Sequence, residues 1–120
     1  MKIEGMENVL AELEKLGSEA GRLENQALRA GGAVVKEAIA KEAPRRSGTL
    51  QRSIQASGVR TREGIKHVAV GPGKEGFYGI FHELGTVHMA ANPFMSRGYQ
   101  ASKDQTLEEI ARVLQRGLGL

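Results

Sequence analysis

The chain has 120 residues, of which 40% are hydrophobic, 4% are aromatic and 16 are glycine, enough for one domain with a modest core. It contains no cysteine, which excludes disulfides, thiolate catalysis and cysteine-based zinc sites. The net charge is +3, but residues 44–80 alone carry seven lysines and arginines against two glutamates, a local net of +5. No apolar run approaches the ~20 residues that span a bilayer, so we expect no membrane contact.

The first third of the chain is predicted to be helical. Apolar residues recur every three or four positions from residue 6 to residue 39, which keeps one face of a helix apolar. A break at Gly17 divides this segment into a short helix near 4–16 and a longer helix near 19–43. Pro44 ends the longer helix, because the residue before a proline is displaced from helical geometry.

The pattern changes to that of a β-hairpin after residue 50. Residues 53–59 and 65–72 contain β-branched residues in alternation, and the intervening RTREG, residues 60–64, is typical of a hairpin turn. We therefore predict two antiparallel strands. The second strand places three side chains on one face: Lys66, Val68 and Val70.

The remaining segments complete an α+β pattern. Residues 71–76, GPGKEG, are predicted to form a loop, and residues 77–86 form either a short helix or a third strand ended by Gly85. Residues 89–94 are expected to be extended ahead of Pro93. The last segment is a predicted helix with an apolar stripe: Leu107, Ile110, Leu114 and Leu118. We expect a long N-terminal helical segment and a C-terminal helix to pack on a small antiparallel sheet.

Two histidines and a glutamate in residues 80–94, IFHELGTVHMAANPF, raise the question of a metal site. A zinc-protease helix needs its second histidine four residues after the first, and that position is Thr86. His88 lies six residues after His82, which leaves the two side chains about 120° apart on a helix. His67 could add a ligand only if the hairpin folded back onto this segment. We therefore predict no metal site.

No other motif indicates catalysis. No serine lies in a Gly-x-Ser-x-Gly elbow, and GPGKEG lacks the spacing and the closing Lys-Ser/Thr of a phosphate loop. We therefore predict no catalytic residue and no cofactor, and we expect that the protein is not an enzyme.

The basic central segment indicates a second possible function, a small nucleic-acid-binding module. Arginine forks suit phosphates, and this density of positive charge can give salt-dependent binding without sequence preference. The arginine cluster has no aromatic side chain for base stacking, and no DNA-binding motif is visible. A solvated surface without a partner explains the same charges. The candidate residues are Arg45, Arg46, Arg52, Arg60, Arg62 and Lys66.

Two motifs in a fixed order carry a family resemblance. Residues 42–54 read EAPRRSGTLQRSI at the end of the long helix, and residues 77–94 read FYGIFHELGTVHMAANPF after the hairpin. From about residue 18 to the C-terminus, this order resembles the gene-product-ten-like family of phage tail components, small neck or tail-completion proteins of long-tailed phages and prophages. The family usually has Pro-Ala shortly after the final Pro-Phe, whereas this chain reads MSRGYQA. The matching residues are Ala43, Pro44, Ser47, Gly48, Leu50, Ser53, Ile54, Tyr78, Glu83, Gly85, Thr86, Pro93 and Phe94.

The resemblance implies a non-enzymatic virion protein that acts in head–tail joining or tail completion. The implied partners are other phage neck and tail proteins, with a ring homo-oligomer in the virion and a monomer or dimer in isolation. The basic segment would face passing DNA or an acidic neighbour. The implied location is the neck or tail of the virion, after assembly in the host bacterial cytoplasm. The chain is then one domain, with residues 17–120 as the family-like core and 1–16 as a short, loosely attached helix.

The motif residues are expected to have structural roles. Pro44 stops the helix, and Gly48 permits a tight turn into the first strand. Glu83 accepts hydrogen bonds from backbone groups or from Thr86, or it pairs with an arginine of the cluster near residues 45–52. Phe94 anchors the last helix in the core.

Overall fold

A computed structural model describes residues 11–12, 14–44, 48–76, 78–87 and 89–120. Its elements confirm the predicted α+β class, with a long helix near each end of the chain and short antiparallel strands between them. The helices and strands are α1 (Ser18–Glu42), α2 (Thr49–Ser53), β1 (Ile54–Ala56), β2 (Arg60–Arg62), β3 (Ile65–His67), β4 (Val70–Pro72), α3 (Gly79–Leu84) and α4 (Phe94–Leu118), with a 3-10 turn at Lys74–Gly76.

Two helices of 25 residues each, α1 and α4, form the long axis of the molecule. They pack antiparallel, because Leu23 lies against Gly117 at one end and Ile39 lies against Gly98 at the other. A first hydrophobic cluster occupies the end that contains the start of α1. Its buried members are Leu23, Ala27 and Leu114, with Leu16, Ile110, Val113 and Leu118 around them.

The bounds of α1 agree with the prediction of a helix near 19–43 that stops before Pro44. Most of the predicted short helix near 4–16 lies outside the described residues, although residues 11–12 and 14–16 are helical. Gly17, with φ of 60°, precedes α1 at the predicted break. Within the described part of the chain, no helix is both long enough and apolar enough to cross a membrane.

The α4 helix is longer than its apolar stripe. It begins at Phe94, whereas the predicted stripe starts at Leu107. The first half of α4 lies against α1 through small residues, of which Gly98 and Ser102 are buried. Small side chains let two helix backbones approach closely, so this half packs without a stripe of large apolar residues.

The predicted hairpin is present and is interrupted in the middle. The outer half pairs β2 with β3, and the inner half pairs β1 with β4, both antiparallel. The prediction that all of residues 60–64 form the turn is wrong, because 60–62 are the strand β2. The turn consists of Glu63 and Gly64 alone, both at positive φ, as a two-residue hairpin loop of this twist requires.

The hairpin lies on α1 by the face that contains Lys66, Val68 and Val70. The Nζ atom of Lys66 is 3.3 Å from the carboxylate of Glu24 on α1. Val68 contacts α1 at Gly32, and Val70 packs against the cluster described below. This confirms the prediction that the three side chains share one face of the second strand, and the structure adds that this face lies toward α1.

The segment after the hairpin is more regular than predicted. Residues 71–76 were expected to be a loop, but 71–72 belong to β4 because β1 supplies their pairing partner, and 74–76 form the 3-10 turn. Of the two alternatives for residues 77–86, the structure has the helix, which ends at Gly85.

Candidate functional site

The two sequence motifs meet in one hydrophobic cluster, called here the motif core. Leu50 and Ile54 come from the first motif and are each 2% exposed, and Phe94 comes from the second and is 0% exposed. They pack with Ile39 of α1 and with Ala43 just after it. Burying a side chain of this size contributes about 1.5–3 kcal/mol, so the motifs join three helices at one point. Partly buried side chains surround them: Val35, Ala40, Val70, Tyr78 and Met95.

The first motif folds by ending one helix and starting another. Ala43 has extended dihedral angles, φ −65° and ψ 143°, as expected for a residue before Pro44. Gly48 has φ of 78°, in the left-handed region that favours glycine, and leads directly into α2. The prediction that Gly48 turns the chain into a strand is therefore wrong, because the five-residue α2 intervenes before β1. Residues 45–47, which include Ser47, lie outside the described residues.

Ser53 of the first motif links α2 by a backbone hydrogen bond to Gly73, in the segment that precedes α3. Its hydroxyl donates a hydrogen bond to the carbonyl of Leu50 at 2.8 Å, and its own carbonyl accepts one from the Gly73 backbone N–H at 2.8 Å. Gly79, the first residue of α3, lies so close to Leu50 that an added Cβ would be 2.6 Å from its Cδ1. The start of α3 is therefore packed directly on the motif core.

Glu83 of the second motif caps the N-terminus of α4. Its carboxylate accepts hydrogen bonds from the backbone N–H groups of Met95 at 2.9 Å and Ser96 at 3.2 Å, and from the Ser96 hydroxyl at 2.7 Å. The N-cap residue Pro93 makes no side-chain cap. First-turn amides have no partner within their own helix and favour a negative charge. Of the alternatives stated for Glu83, the structure has the bond to backbone groups.

The variant Glu83→Gln should therefore lower the unfolding free energy by about 1 kcal/mol, since glutamine has one acceptor oxygen in place of two and lacks the negative charge that a helix N-terminus favours. Urea unfolding followed by circular dichroism measures this loss. Glu108→Gln is the matched control, because Glu108 is exposed on α4 and its carboxylate makes no hydrogen bond or ion pair within the described part of the chain. Equal stability of the two variants would show that Glu83 does not support α4.

Gly85 directs the chain from α3 back toward α4. Its φ of 80° and ψ of 169° lie in a region that is essentially restricted to glycine. A Cβ at this position would be 2.8 Å from the backbone nitrogen of Ala91. Thr86 and Met89 then exchange backbone hydrogen bonds. The chain is therefore folded back at residues 86–89, just ahead of the segment that was expected to be extended, and the last residue of that segment, Phe94, already belongs to α4.

Comparison with family models identifies the group to which this arrangement belongs. Residues 7–85 match the model described as "Bacteriophage HK97-gp10, putative tail-component". The chain belongs to the HK97-gp10-like family. The match confirms the predicted resemblance, and it starts earlier than the expected residue 18. It ends before the last three motif residues, Thr86, Pro93 and Phe94. Comparison with curated proteins and with solved structures gives no match.

In this HK97-gp10-like chain, the histidine and glutamate neighbours of the second motif have separate contacts. The ring of His82 packs edge-on against Tyr78, with the ring centroids 6.1 Å apart. Glu83, which would act as the base of a zinc protease, is bonded to α4. His88 lies outside the described residues, and those that are described contain no group of three or more metal-ligating side chains.

The structure describes four of the six predicted basic residues. Arg45 and Arg46 lie outside the described residues, and Lys66 is directed to α1, where it pairs with Glu24. Three are exposed: Arg52, Arg60 and Arg62. Two lysines that sequence reasoning missed, Lys36 and Lys74, line a groove of about 510 Å³ together with Arg52. These three residues come from α1, α2 and the 3-10 turn, so no local sequence pattern could have indicated that they lie together.

A second surface was also missed. Four large apolar side chains on α3 and the turn after it are between 49% and 97% exposed. Sequence reasoning considered this segment mainly for its histidines. Exposed clusters of large apolar residues are the more informative feature, because they commonly mark interaction sites. The four residues are Ile80, Phe81, Leu84 and Val87.

Proposed function

We propose that the protein is a structural virion component of a tailed phage or prophage, which acts in head–tail joining or tail completion through protein–protein assembly. Membership of a family of phage tail components is the observation that carries this proposal. The geometry of the motifs supports it. Leu50, Ile54 and Phe94 are buried in one core, and Glu83 caps a helix. These residues shape and stiffen a subunit, which is what an assembly protein needs.

The same observations support a protein without catalytic activity or cofactor. The family is described as a tail component. The most enzyme-like feature of the sequence is the pair His82 and Glu83, and in the structure His82 packs against Tyr78 while Glu83 caps α4. Glu83 accepts three hydrogen bonds at the start of α4, a structural contact that accounts for its position without a catalytic role.

The proposed partners are other neck and tail proteins, and the proposed state in the virion is a ring of identical copies. The isolated chain would be a monomer or a dimer. Its location would be the neck or tail, reached after assembly in the host bacterial cytoplasm and without membrane contact. We also propose that residues 1–120 form a single domain, with 17–120 as its core; most of residues 1–16 lie outside the described part of the chain, and Leu16 packs on the first cluster.

A nucleic-acid-binding module is the second candidate function. The exposure of Arg52, Arg60 and Arg62 favours it, and such residues could face DNA in a channel or an acidic neighbouring protein. Lys66 contributes less, because its charge is paired with Glu24. A salt-sensitive shift of a DNA fragment by the purified protein, near physiological ionic strength, would favour this candidate.

Deletion of the gene from its phage should leave filled heads and unjoined tails, or tails of faulty length. Electron microscopy of negatively stained lysates and a plaque assay measure this outcome, and a plasmid copy of the wild-type gene should restore infectious particles. Normal infectious particles from the deletion would exclude the assembly role.

A further inference from the structure

Three basic residues recur at intervals of seven along α1 and are called here the α1 row: Arg22, Arg29 and Lys36. Seven residues are close to two helical turns, so the three side chains lie on one side of α1, about 10.5 Å apart along its axis. All three are exposed. Gly31 faces Ile110 of α4, and Arg29 is about 200° of helical rotation away from Gly31. The α1 row therefore lies on the side of α1 opposite α4.

The α1 row continues into the groove of about 510 Å³ described above, called here the basic groove. Lys36, at the C-terminal end of the row, lines this groove together with Arg52 of α2 and Lys74 of the 3-10 turn. Among the described residues that line the groove, Glu75 alone is acidic. The row and the groove therefore form one surface, called here the basic strip: Arg22, Arg29, Lys36, Arg52 and Lys74.

The five cations of the basic strip form no ion pair within the part of the chain that the structure describes. The ion pairs found there involve other bases, such as Lys66, which binds Glu24. Gln26 and Ala33, which lie one helical turn after the first two cations of the α1 row, are uncharged. Because unpaired charges of one sign add to a local positive potential, the strip attracts an anionic partner.

We propose that the basic strip binds the phosphate backbone of duplex DNA. Arginine and lysine bind phosphate groups, and Gln55 in the basic groove has an amide of the kind that donates hydrogen bonds to them. From Arg22 to Lys36 the α1 row extends about 21 Å, a distance over which one DNA strand carries about six phosphates. The strip therefore presents its cations along a line, as a linear array of phosphates requires.

The chemistry of the basic strip favours duplex DNA over other anionic partners. An acidic protein would need a central apolar or aromatic anchor, and the large apolar residue of the groove, Ile54, is 2% exposed and belongs to the motif core. Single-stranded nucleic acid binds through aromatic side chains on which its bases stack, and no aromatic residue lines the groove in the described part of the chain. Phosphate contacts to a duplex need neither feature.

This inference rests on the second candidate function proposed above and assigns a site to it. That candidate was based on Arg52, Arg60 and Arg62, of which the basic strip includes Arg52. Thr61 is paired across the hairpin with Lys66, which contacts α1. Because side chains alternate along a strand, Arg60 and Arg62 lie on the other face of the hairpin, away from α1. The strip and the hairpin arginines can therefore be tested separately.

Fluorescence anisotropy of a labelled DNA duplex, titrated with the full chain between about 50 and 200 mM salt, tests the site. Five phosphate contacts predict a slope of about −4.5 for the logarithm of the binding constant against that of the salt concentration. The double variant Arg29→Gln with Lys36→Gln should bind about tenfold more weakly at the lowest salt, and its slope should be less negative by about 2. Both side chains are exposed, so the fold should be unchanged.

Lys103→Gln combined with Arg116→Gln is the matched control, because it removes the same charge from exposed positions on α4. Its slope should equal that of the wild-type chain, and its affinity should stay within about twofold. Circular dichroism of both double variants checks that they are folded. An equal loss of affinity in the control would mean that binding depends on net charge alone, and it would overturn the proposal.

The other outcomes also decide the proposal. If Arg60→Gln with Arg62→Gln weakened binding and the α1 row variant did not, the strip would be excluded and the second candidate function would stand. No binding by the wild-type chain at low salt would exclude both and leave the assembly role, which the gene deletion tests. Binding of poly-glutamate as tightly as the duplex, at equal charge, would assign the strip to an acidic protein and refute the DNA site. Tighter binding of single-stranded DNA would refute it too.

Discussion

Phe94→Ala should lower the unfolding free energy by about 3–5 kcal/mol, the range for removal of a fully buried aromatic ring. Phe94 is 0% exposed and lies between Leu50 and Ile54 of the first motif and Ile39 of α1. Its removal would leave a cavity at the one place where both motifs meet. Domains of this size have a total stability of only about 5–15 kcal/mol. Urea unfolding should show a large fall in midpoint with little change in slope.

Phe81→Ala is the matched control for this variant. The same atoms are removed, but Phe81 on α3 is 49% exposed, so the loss of stability should be under about 1 kcal/mol. If both variants lost the same stability, the motif core would not depend on Phe94.

Gly98→Ala should lower the unfolding free energy by about 2 kcal/mol. An added Cβ would lie 2.7 Å from Cα and 2.8 Å from the backbone nitrogen of Ile39 on α1. Because these are backbone atoms, no side-chain rotation can relieve the overlap and the two helices must move apart. Overpacking of this kind costs about 3 kcal/mol at the upper end of its range, and the better helix propensity of alanine offsets about 1 kcal/mol.

Gly21→Ala on α1 is the control, with an expected effect of opposite sign. The nearest atom to its added Cβ is the flexible Nζ of Lys66 at 3.5 Å, an ordinary contact. The substitution should therefore stabilise the protein by up to about 1 kcal/mol, the propensity difference between glycine and alanine. Thermal unfolding of both variants measures the contrast. Equal effects would show that α1 and α4 do not approach closely at Gly98.

Several parts of the fold could be predicted because their signals are local. The end of α1 before Pro44 follows from the geometry of a residue that precedes proline. The grouping of Lys66, Val68 and Val70 on one face of the hairpin follows from their alternation, whereas the contact of that face with α1 is known from the structure alone. In both cases, the sequence signal lies within one short segment of the chain.

The first half of α4 could not be predicted from apolar periodicity. The residues that face α1 here follow steps of four, Phe94, Gly98 and Ser102, and continue to Ile110 and Leu114. Glycine and serine have no large apolar side chain, so the stripe is visible only from Leu107 onwards. Gly98 and Ser102 matter because they are small enough to let α1 approach, and this role cannot be recognised until the position of α1 is known.

The geometry of the candidate site was only partly predictable. The family resemblance indicated which residues belong together, and Glu83 was expected to accept hydrogen bonds. Its donors, Met95 and Ser96, are 12 and 13 residues away, and they become available only because Gly85 turns the chain back. The exposure of the apolar side chains of α3 likewise depends on which side of that helix packs on Leu50. This side could not be predicted, because the pattern of residues 77–86 allowed a strand as readily as a helix.

The pairing of α1 with α4 also bears on how the protein folds during synthesis. Ile39 meets Gly98 and Leu23 meets Gly117, separations of 98 − 39 = 59 and 117 − 23 = 94 residues. Proteins with contacts this distant in sequence fold more slowly than helical proteins with local contacts. The apolar side of α1 leaves the ribosome before α4 is made and has no helix to cover it until then. Nascent chains are therefore most vulnerable to aggregation before α4 emerges.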